Sequence, residues 1–477
     1  IIFSLLILLL SSFPLSITSP SNLKIRLDKS GFDFLSKSAH AVIDKEVTGL
    51  PLPSASADVD EFILSIALTT SNTRIEKFTS PDFELSLSPN GLQWNSNNGE
   101  VKIYTDFDAH VEYFRIPFPP IHGYATATAT DLRMSLSVSA STVDGRPQLS
   151  IDDCSSLEIG DFDLKAYIKD GPFVLNKLIS KIIQHDLNEK ACSLADNLID
   201  TVNSYLHSLP IDVPLGQNFF IHYHIDSDPT FTEEYAELEA TVTVTYSNIS
   251  DCSHEITPLD AEETNSPMAS IWISEQIPNC LLESAYNNMN ISLPIDHLNY
   301  PAIESFVKTS SCFLSCIGFY FPILQTKYPN EHISFLFTPA SSPLVYFNNG
   351  STFVNSSLYL DFYIYPREKF PDVLARLKIN AISEMYPFLD DRSLKGEIKS
   401  INLNATEEFS HIGEIPPSFL NVFDSIFPKV LSSLLTVFLH KGLPIPIIDD
   451  LSISDKSIIT ENESQMLLSL NFEDYSN

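Results

Sequence analysis

From residue 20 onward, the hydrophobic positions alternate between two periods. Leu23, Ile25 and Leu27 alternate with polar residues, predicting a strand, and Phe32, Leu35, Ala39, Val42 and Val47 then recur at helical spacing. Leu132, Met134, Leu136, Val138 and Ala140 alternate with Arg133, Ser135, Ser137 and Ser139, and the preceding YATATATD run behaves the same way. Both read as a long strand with one buried face. Between Phe173 and Leu209 the spacing becomes helical, through Leu175, Leu178, Ile179, Ile182, Ile183, Leu187, Leu194, Leu198, Val202 and Tyr205. Such a helix is on the order of 50 Å long at 1.5 Å per residue. That length suits an elongated sheet curled around the helix.

A polar stretch from Asp226 to Thr232, interrupted by Pro229, reads as a linker. Strand alternation resumes with Leu238, Ala240, Val242 and Val244, and later with Leu358, Leu360, Phe362 and Ile364. A helical stretch is predicted over about Phe306 to Leu324. Another runs through Phe419, Phe423, Phe427, Val430, Leu434 and Phe438, with Pro428 expected to kink it. A strand-rich region flanked by helices thus occurs twice, the pattern of an internal duplication.

Composition narrows the class. A chain of 477 residues and 53.3 kDa is too long for one ordinary core. With 44% hydrophobic residues, only 14 glycines and a mean hydropathy of +0.04, it is a folded protein that buries much apolar surface. Sixty-one acidic against 28 basic residues leave a formal charge of -33. That balance speaks against a nucleic-acid groove or an anchor for anionic membranes, so partners that are neutral or apolar, or cationic at a local patch, are expected. Residues 1–19 carry an apolar run, IIFSLLILLL, that ends in small residues near Ser16 and Thr18 and is broken by Pro14. It reads as an N-terminally truncated signal peptide. Six glycosylation sequons, at Asn248, Asn290, Asn349, Asn355, Asn404 and Asn462, fit a secreted, extracellular destination.

Three segments carry a resemblance: GPFVLNKLISKIIQHDLNEKACSLADNLIDTVNSYLHSLP, FPKVLSSLLTVFLHKGLPIP and LKIRLDKSGFDFLSKSA. They resemble the bactericidal/permeability-increasing, lipopolysaccharide-binding and cholesteryl ester transfer protein family of lipid-binding serum glycoproteins, over essentially the whole chain after the leader. The resemblance implies an α+β fold, an elongated boomerang of two similar barrels. Each would be a twisted antiparallel sheet wrapped on a long helix, with a central antiparallel sheet between them. The barrels would span residues 20–229 and 230–477, both halves contributing to the central sheet around 210–280 and the C-terminal strand. The family's shared disulfide maps onto Cys154 and Cys192. Closing a loop of about 39 residues, it would contribute roughly 4 kcal/mol on chain-entropy grounds. The resemblance also turns apolar helical positions into candidate lipid-pocket walls: Leu35, Val42, Leu178, Ile182, Phe306, Phe313, Ile317, Phe423 and Phe427. Periodicity alone reads the same residues as plain core.

Four further cysteines, Cys252, Cys280, Cys312 and Cys316, lie outside the family pattern. One turn apart on a predicted helix, Cys312 and Cys316 would have Cβ atoms about 5 to 6 Å apart, too far for an unstrained mutual bond. Each is therefore expected to reach Cys252 or Cys280. No second spaced pair or histidine cluster makes these cysteines a zinc site, and His222 and His224 read as ordinary strand residues. Nucleophile elbow, zincin helix, phosphate loop and dinucleotide fingerprint are all missing from the sequence, so no enzyme, metal or cofactor is expected.

The expected function is secreted lipid binding and transfer of phospholipid-like or other neutral lipids by a monomer, with transient contact to membranes or lipoprotein-like particles. The alternatives are an innate-immune binder of lipopolysaccharide and an interaction scaffold without a lipid. The family's endotoxin capture depends on a cationic tip. Here the corresponding stretch carries Glu100, Asp106, Asp108 and Glu112 against Lys102 and Arg115. Like charges would repel an anionic headgroup.

Overall fold

A computed structural model describes residues 21–474 apart from residues 50, 53, 61–63, 80–81, 156, 169–173, 209–210, 217, 261–265, 311–315, 391–392, 441 and 446–450. The alternating residues Leu23, Ile25 and Leu27 set the first strand, Leu23–Asp28, in the middle of a sheet. They lie opposite Ala240, Leu238 and Ala236 on one side and Ile273, Ile271 and Ala269 on the other, giving one continuous apolar face. On the other face Lys24 bonds both Glu237 and Glu239 at 3.0 Å. The Arg26 guanidinium donates to Glu237 at 3.0 and 2.7 Å, and lies 4.1 Å from the Tyr235 ring centre and 4.9 Å from that of Trp272. A one-residue slip would break every one of these contacts, so they specify the register.

The sheet runs Asp212–Gly216, Phe219–Ile225, Tyr235–Tyr246, Leu23–Asp28, Ala269–Ser274, Gln465–Leu470 and Ile458–Asn462, drawing on distant parts of the chain. Pro229 lies in the connection between two of its neighbouring strands.

A second antiparallel sheet is built around the long strands Leu64–Thr79, Gly91–Tyr113 and Ile121–Val143, with Arg146–Cys154 and Glu158–Ile168 both pairing to the last of these. A third comprises chiefly Ile333–Pro339, Ser351–Ile364, Ala375–Asp390 and Ser393–Ser410. The helices are α1 (Lys29–Val47), α2 (Val174–Ser208), α3 (Gln276–Asn288), α4 (Ile317–Tyr320), α5 (Pro322–Lys327) and α6 (Pro417–Leu439). Helix α2 packs on the second sheet and α6 on the third. The chain is thus the expected α+β arrangement, two sheet-and-helix barrels with a central antiparallel sheet. Gly31 lets α1 start against the central sheet, since a Cβ there would stand 2.3 Å from the Met268 carbonyl oxygen.

Among the described residues the helix predicted over 306–324 does not form as one element. A 3-10 turn at Pro301–Ile303 is followed by a bridge from Lys308 to His332, and only then by α4 and α5. The Thr309 hydroxyl bonds the carbonyls of Tyr328 (2.6 Å) and Glu331 (2.9 Å), and the Gly318 N–H donates to the Lys308 carbonyl at 3.1 Å. The Thr309 N–H donates to the Glu331 carbonyl at 3.0 Å and the Val307 carbonyl accepts from Ile333 at 2.8 Å, so long-range bonds take backbone groups a helix would use. The cysteine expectation fails with it. Cys252 pairs with Cys280, Cα atoms 4.9 Å apart, because α3 lies across the strand Tyr235–Tyr246, which Cys252 follows. Cys316 is disulfide-bonded from an extended backbone, not a helical one. Cys312 lies outside the described residues.

Candidate functional site

In one section of the N-terminal barrel, helix and sheet close on each other completely. Small inward residues, Ala125, Ala127 and Ala129, lie opposite Thr105, Ile103 and Val101. They leave room for Ile179, Ile182, Ile183 and Leu187 of α2, and all of these are buried. The YATATATD alternation therefore does two things: its threonines face out, and its alanines let the helix approach the sheet.

One helical turn further along, the closure loosens. Leu92, Val138 and Ile151 form one inward row across three strands, and Trp94, Leu136 and Cys154 form the next. Ala191, Ala195 and Ile199 follow at four-residue spacing on α2. Leu136, Val138 and Ala195 are buried, while Leu92, Trp94, Met134, Leu149, Ile151 and Ile199 around them are only partly so. A concave, mostly apolar section with partly accessible walls is the usual form of a small-molecule site. The Cys154–Cys192 disulfide ties strand to helix here, Cα atoms 6.0 Å apart. At the other end Asn203 accepts from the Leu149 N–H at 2.8 Å and donates to its carbonyl at 2.9 Å. A surface depression of about 640 Å³, lined by Ser96, Asp131, Arg133 and Ser155 among others, reaches this section at Met134.

In the C-terminal barrel the space along the first half of α6 is filled. Phe419, Phe423 and Phe427 recur once per turn on α6 and are fully buried. Phe423 stacks on Phe427 with centroids 4.1 Å apart, Phe335 meets Phe427 edge-on at 5.2 Å, and Phe306 stacks on Phe419 at 5.9 Å. Nearby, His297 stacks on His332 at 4.2 Å, with Tyr365 edge-on to His297. Burial, then the charges of His297 and Lys308, hold the His332 imidazole below its ordinary pKa.

The predicted wall residues fall into three separate places. Phe306, Ile317, Phe423 and Phe427 belong to the aromatic core of the C-terminal barrel. Ile182 belongs to the tightly closed section of the N-terminal barrel, and Leu35, half-buried, packs on the central-sheet cluster. The side chains of Val42 and Leu178, and Phe313 altogether, lie outside the described residues. Of the loose section, the Leu132–Ala140 alternation was the signal in the sequence. The Leu92 and Trp94 row is visible only through strand register. His222 bonds Asp212 and Thr245, and among the described residues no three His, Cys, Asp or Glu side chains converge as metal ligands. No described helix is long and apolar enough to cross a membrane.

Residues 215–473 match the profile of the LBP / BPI / CETP family, C-terminal domain. The chain belongs to this family, and membership supports lipid binding. It is 21% identical over 450 residues to a bactericidal permeability-increasing protein of Sebastes schlegelii, covering 92% of each chain. It also superposes on the crystal structure of lipopolysaccharide binding protein with a TM-score of 0.60 at 16% identity, covering 95% of this chain and 99% of that one. The structural likeness speaks to the fold.

Proposed function

We propose that this protein is a secreted carrier that holds the acyl chains of phospholipid-like or other neutral lipids in the loosely closed section of its N-terminal barrel and exchanges them between lipid surfaces. The observation that carries this reading is the partly accessible apolar wall of Leu92, Trp94, Met134, Leu149, Ile151 and Ile199, held between α2 and three strands. Burying about 14 methylenes is favourable by roughly 11 kcal/mol relative to water, but a lipid leaving a bilayer starts from a similar environment. Net transfer is then close to neutral, and the protein acts by providing a dry route, with no bond made or broken. The Cys154–Cys192 and Cys252–Cys280 disulfides and the disulfide-bonded Cys316 suit an oxidising compartment. Asn248, Asn290, Asn349, Asn355 and Asn404 are exposed and Asn462 half-buried, so the first five are the better glycan acceptors.

Native mass spectrometry of the protein from secreting cells tests the reading. Co-purified phospholipid is the expected result, and a lipid-free protein would overturn it. A second reading, lipopolysaccharide binding, is favoured by the names of the two relatives. Asp106, Asp108 and Glu112 on one strand disfavour it. An endotoxin-binding assay at low and physiological salt decides between them, since an electrostatic contact weakens with salt.

A further inference from the structure

Among the described residues, the strand Glu158–Ile168 of the N-terminal sheet has a strand neighbour on one flank only, Ile121–Val143. Every second residue of such an edge turns its N–H and C=O away from the ladder, where another strand can take them. Burial agrees with an open flank. Ile159, Phe162, Leu164 and Ala166 are only half-buried, whereas Ala125, Ala127 and Ala129 on the neighbouring strand are at most 1% exposed. Other long flanks are guarded. On Arg146–Cys154 the Leu149 N–H and C=O are taken by Asn203 of α2, and Ser393–Ser410 packs beside α6 and carries the sequon Asn404. A depression of about 450 Å³ reaches from the open strand to α2, lined by Leu157, Ile159 and Phe162 on the sheet side and by Gln184 and Asn188 on the helix side.

The outer face of the edge indicates what it would pair with. Arg74 lies 4.2 Å from the Tyr104 ring centre, Tyr104 stacks on Tyr124 at 5.7 Å, and Tyr124 stacks on Tyr167 at 4.7 Å. Each member comes from the next strand of the sheet, so the stack crosses it and ends at the edge. A guanidinium caps one end. The other end is Tyr167, 51% exposed, with no described ring or cation on its outer face. A strand added here would bring a side chain to that face, and an arginine would repeat at Tyr167 the contact that Arg74 makes with Tyr104. Along the same exposed row stand Lys165, Asp163, Asp161 and Glu158, with the Lys165 ammonium 3.5 Å from Asp163. Two copies of this chain would each bring three carboxylates and one ammonium to the seam and repel, whereas a basic strand is attracted. Lys181 is exposed on α2, three residues before Gln184, so the partner's inward row over the depression is uncharged and only its outward row is basic.

We propose that the edge Glu158–Ile168 captures an extended basic segment of a partner protein by strand addition, its alternate arginine or lysine side chains set against Tyr167, Asp163 and Asp161. None of these residues belongs to the wall assigned to lipid. The test titrates the full chain, at physiological salt, with a fluorescent peptide of about nine residues that alternates arginine with threonine, a residue suited to strands. The same peptide with its backbone amides methylated keeps the charge and loses the donors. A variant carrying Asp161→Lys, Asp163→Lys and Tyr167→Thr changes exposed positions only and should melt as the wild type does. The unmethylated peptide should bind the wild type and slow amide exchange across residues 158–168. The methylated peptide should bind the wild type, and the unmethylated peptide the variant, at least about tenfold more weakly. A peptide that fails to bind, or that leaves exchange at 158–168 unchanged, overturns the proposal. Equal binding of the methylated peptide would mean that charge alone attracts it, and overturns strand addition without recourse to any variant. Equal binding by the variant, or a wild type that dimerises through this edge, overturns the choice of occupant.

Discussion

Cys192 on the long helix α2 is bonded to Cys154 at the end of its strand, where the apolar section is least closed. Replacing both with serine removes a constraint on a loop of about 39 residues, and the unfolding free energy should fall by about 2 to 4 kcal/mol. Calorimetry under non-reducing conditions measures this, with unfolding by denaturant as the check. An unchanged midpoint would mean that Asn203 and the helix packing alone hold the seam.

Charge placed in the loose section should cost lipid. Met134→Asp combined with Leu149→Asp puts two carboxylates on a wall that acyl chains would touch, and bound lipid per protein, by mass spectrometry, should drop several-fold. Leu403→Asp, at a half-buried position of the C-terminal barrel, is the control that should leave lipid content unchanged.

Phe423 and Phe427 are expected to behave as core. Phe427→Ala removes a buried ring in contact with Phe335, Phe337 and Phe423. It should destabilise by about 3 to 5 kcal/mol, measured by denaturant unfolding. A cost under about 1 kcal/mol would show that the ring borders a space able to collapse.

Acidification should loosen the C-terminal barrel around His332. Folding lowers the pKa of this imidazole, through burial first and then His297 and Lys308, against the opposing pull of Glu304 and Glu331. The folded state therefore binds fewer protons than the unfolded one. Stability is full above the unfolded value of about 6.5 and falls as pH drops from there through the folded value. His332→Gln should flatten this part of the stability profile. A slope unchanged by the substitution would assign the effect to other groups.

Sequence reading succeeded where one period served one purpose. The alternation from Leu132 to Ala140 and the apolar spacing of 174–208 each describe an element with one face to bury, and the elements form accordingly. It failed over 306–324, where apolar residues at helical spacing pack into a turn-rich knot held by Thr309, and the cysteine pairing argued from that helix failed too. The loose section was half legible. Leu92 and Trp94 stand in a polar run that shows no conspicuous alternation, and only their register against Leu136 and Val138 makes them a wall.

The strand Leu23–Asp28 takes its two neighbours from residues 235–246 and 269–274. During synthesis at about 5 to 20 residues per second, roughly 10 to 50 s pass before its second neighbour leaves the ribosome, and both edges stay bare until residues 235–246 emerge. The barrel built from residues 56–208 can mature in that interval, while the central seam is stitched only afterwards. A chain stalled or clipped before residue 269 would thus present a finished barrel beside a bare, pairing-competent edge, the species that chaperones would have to guard.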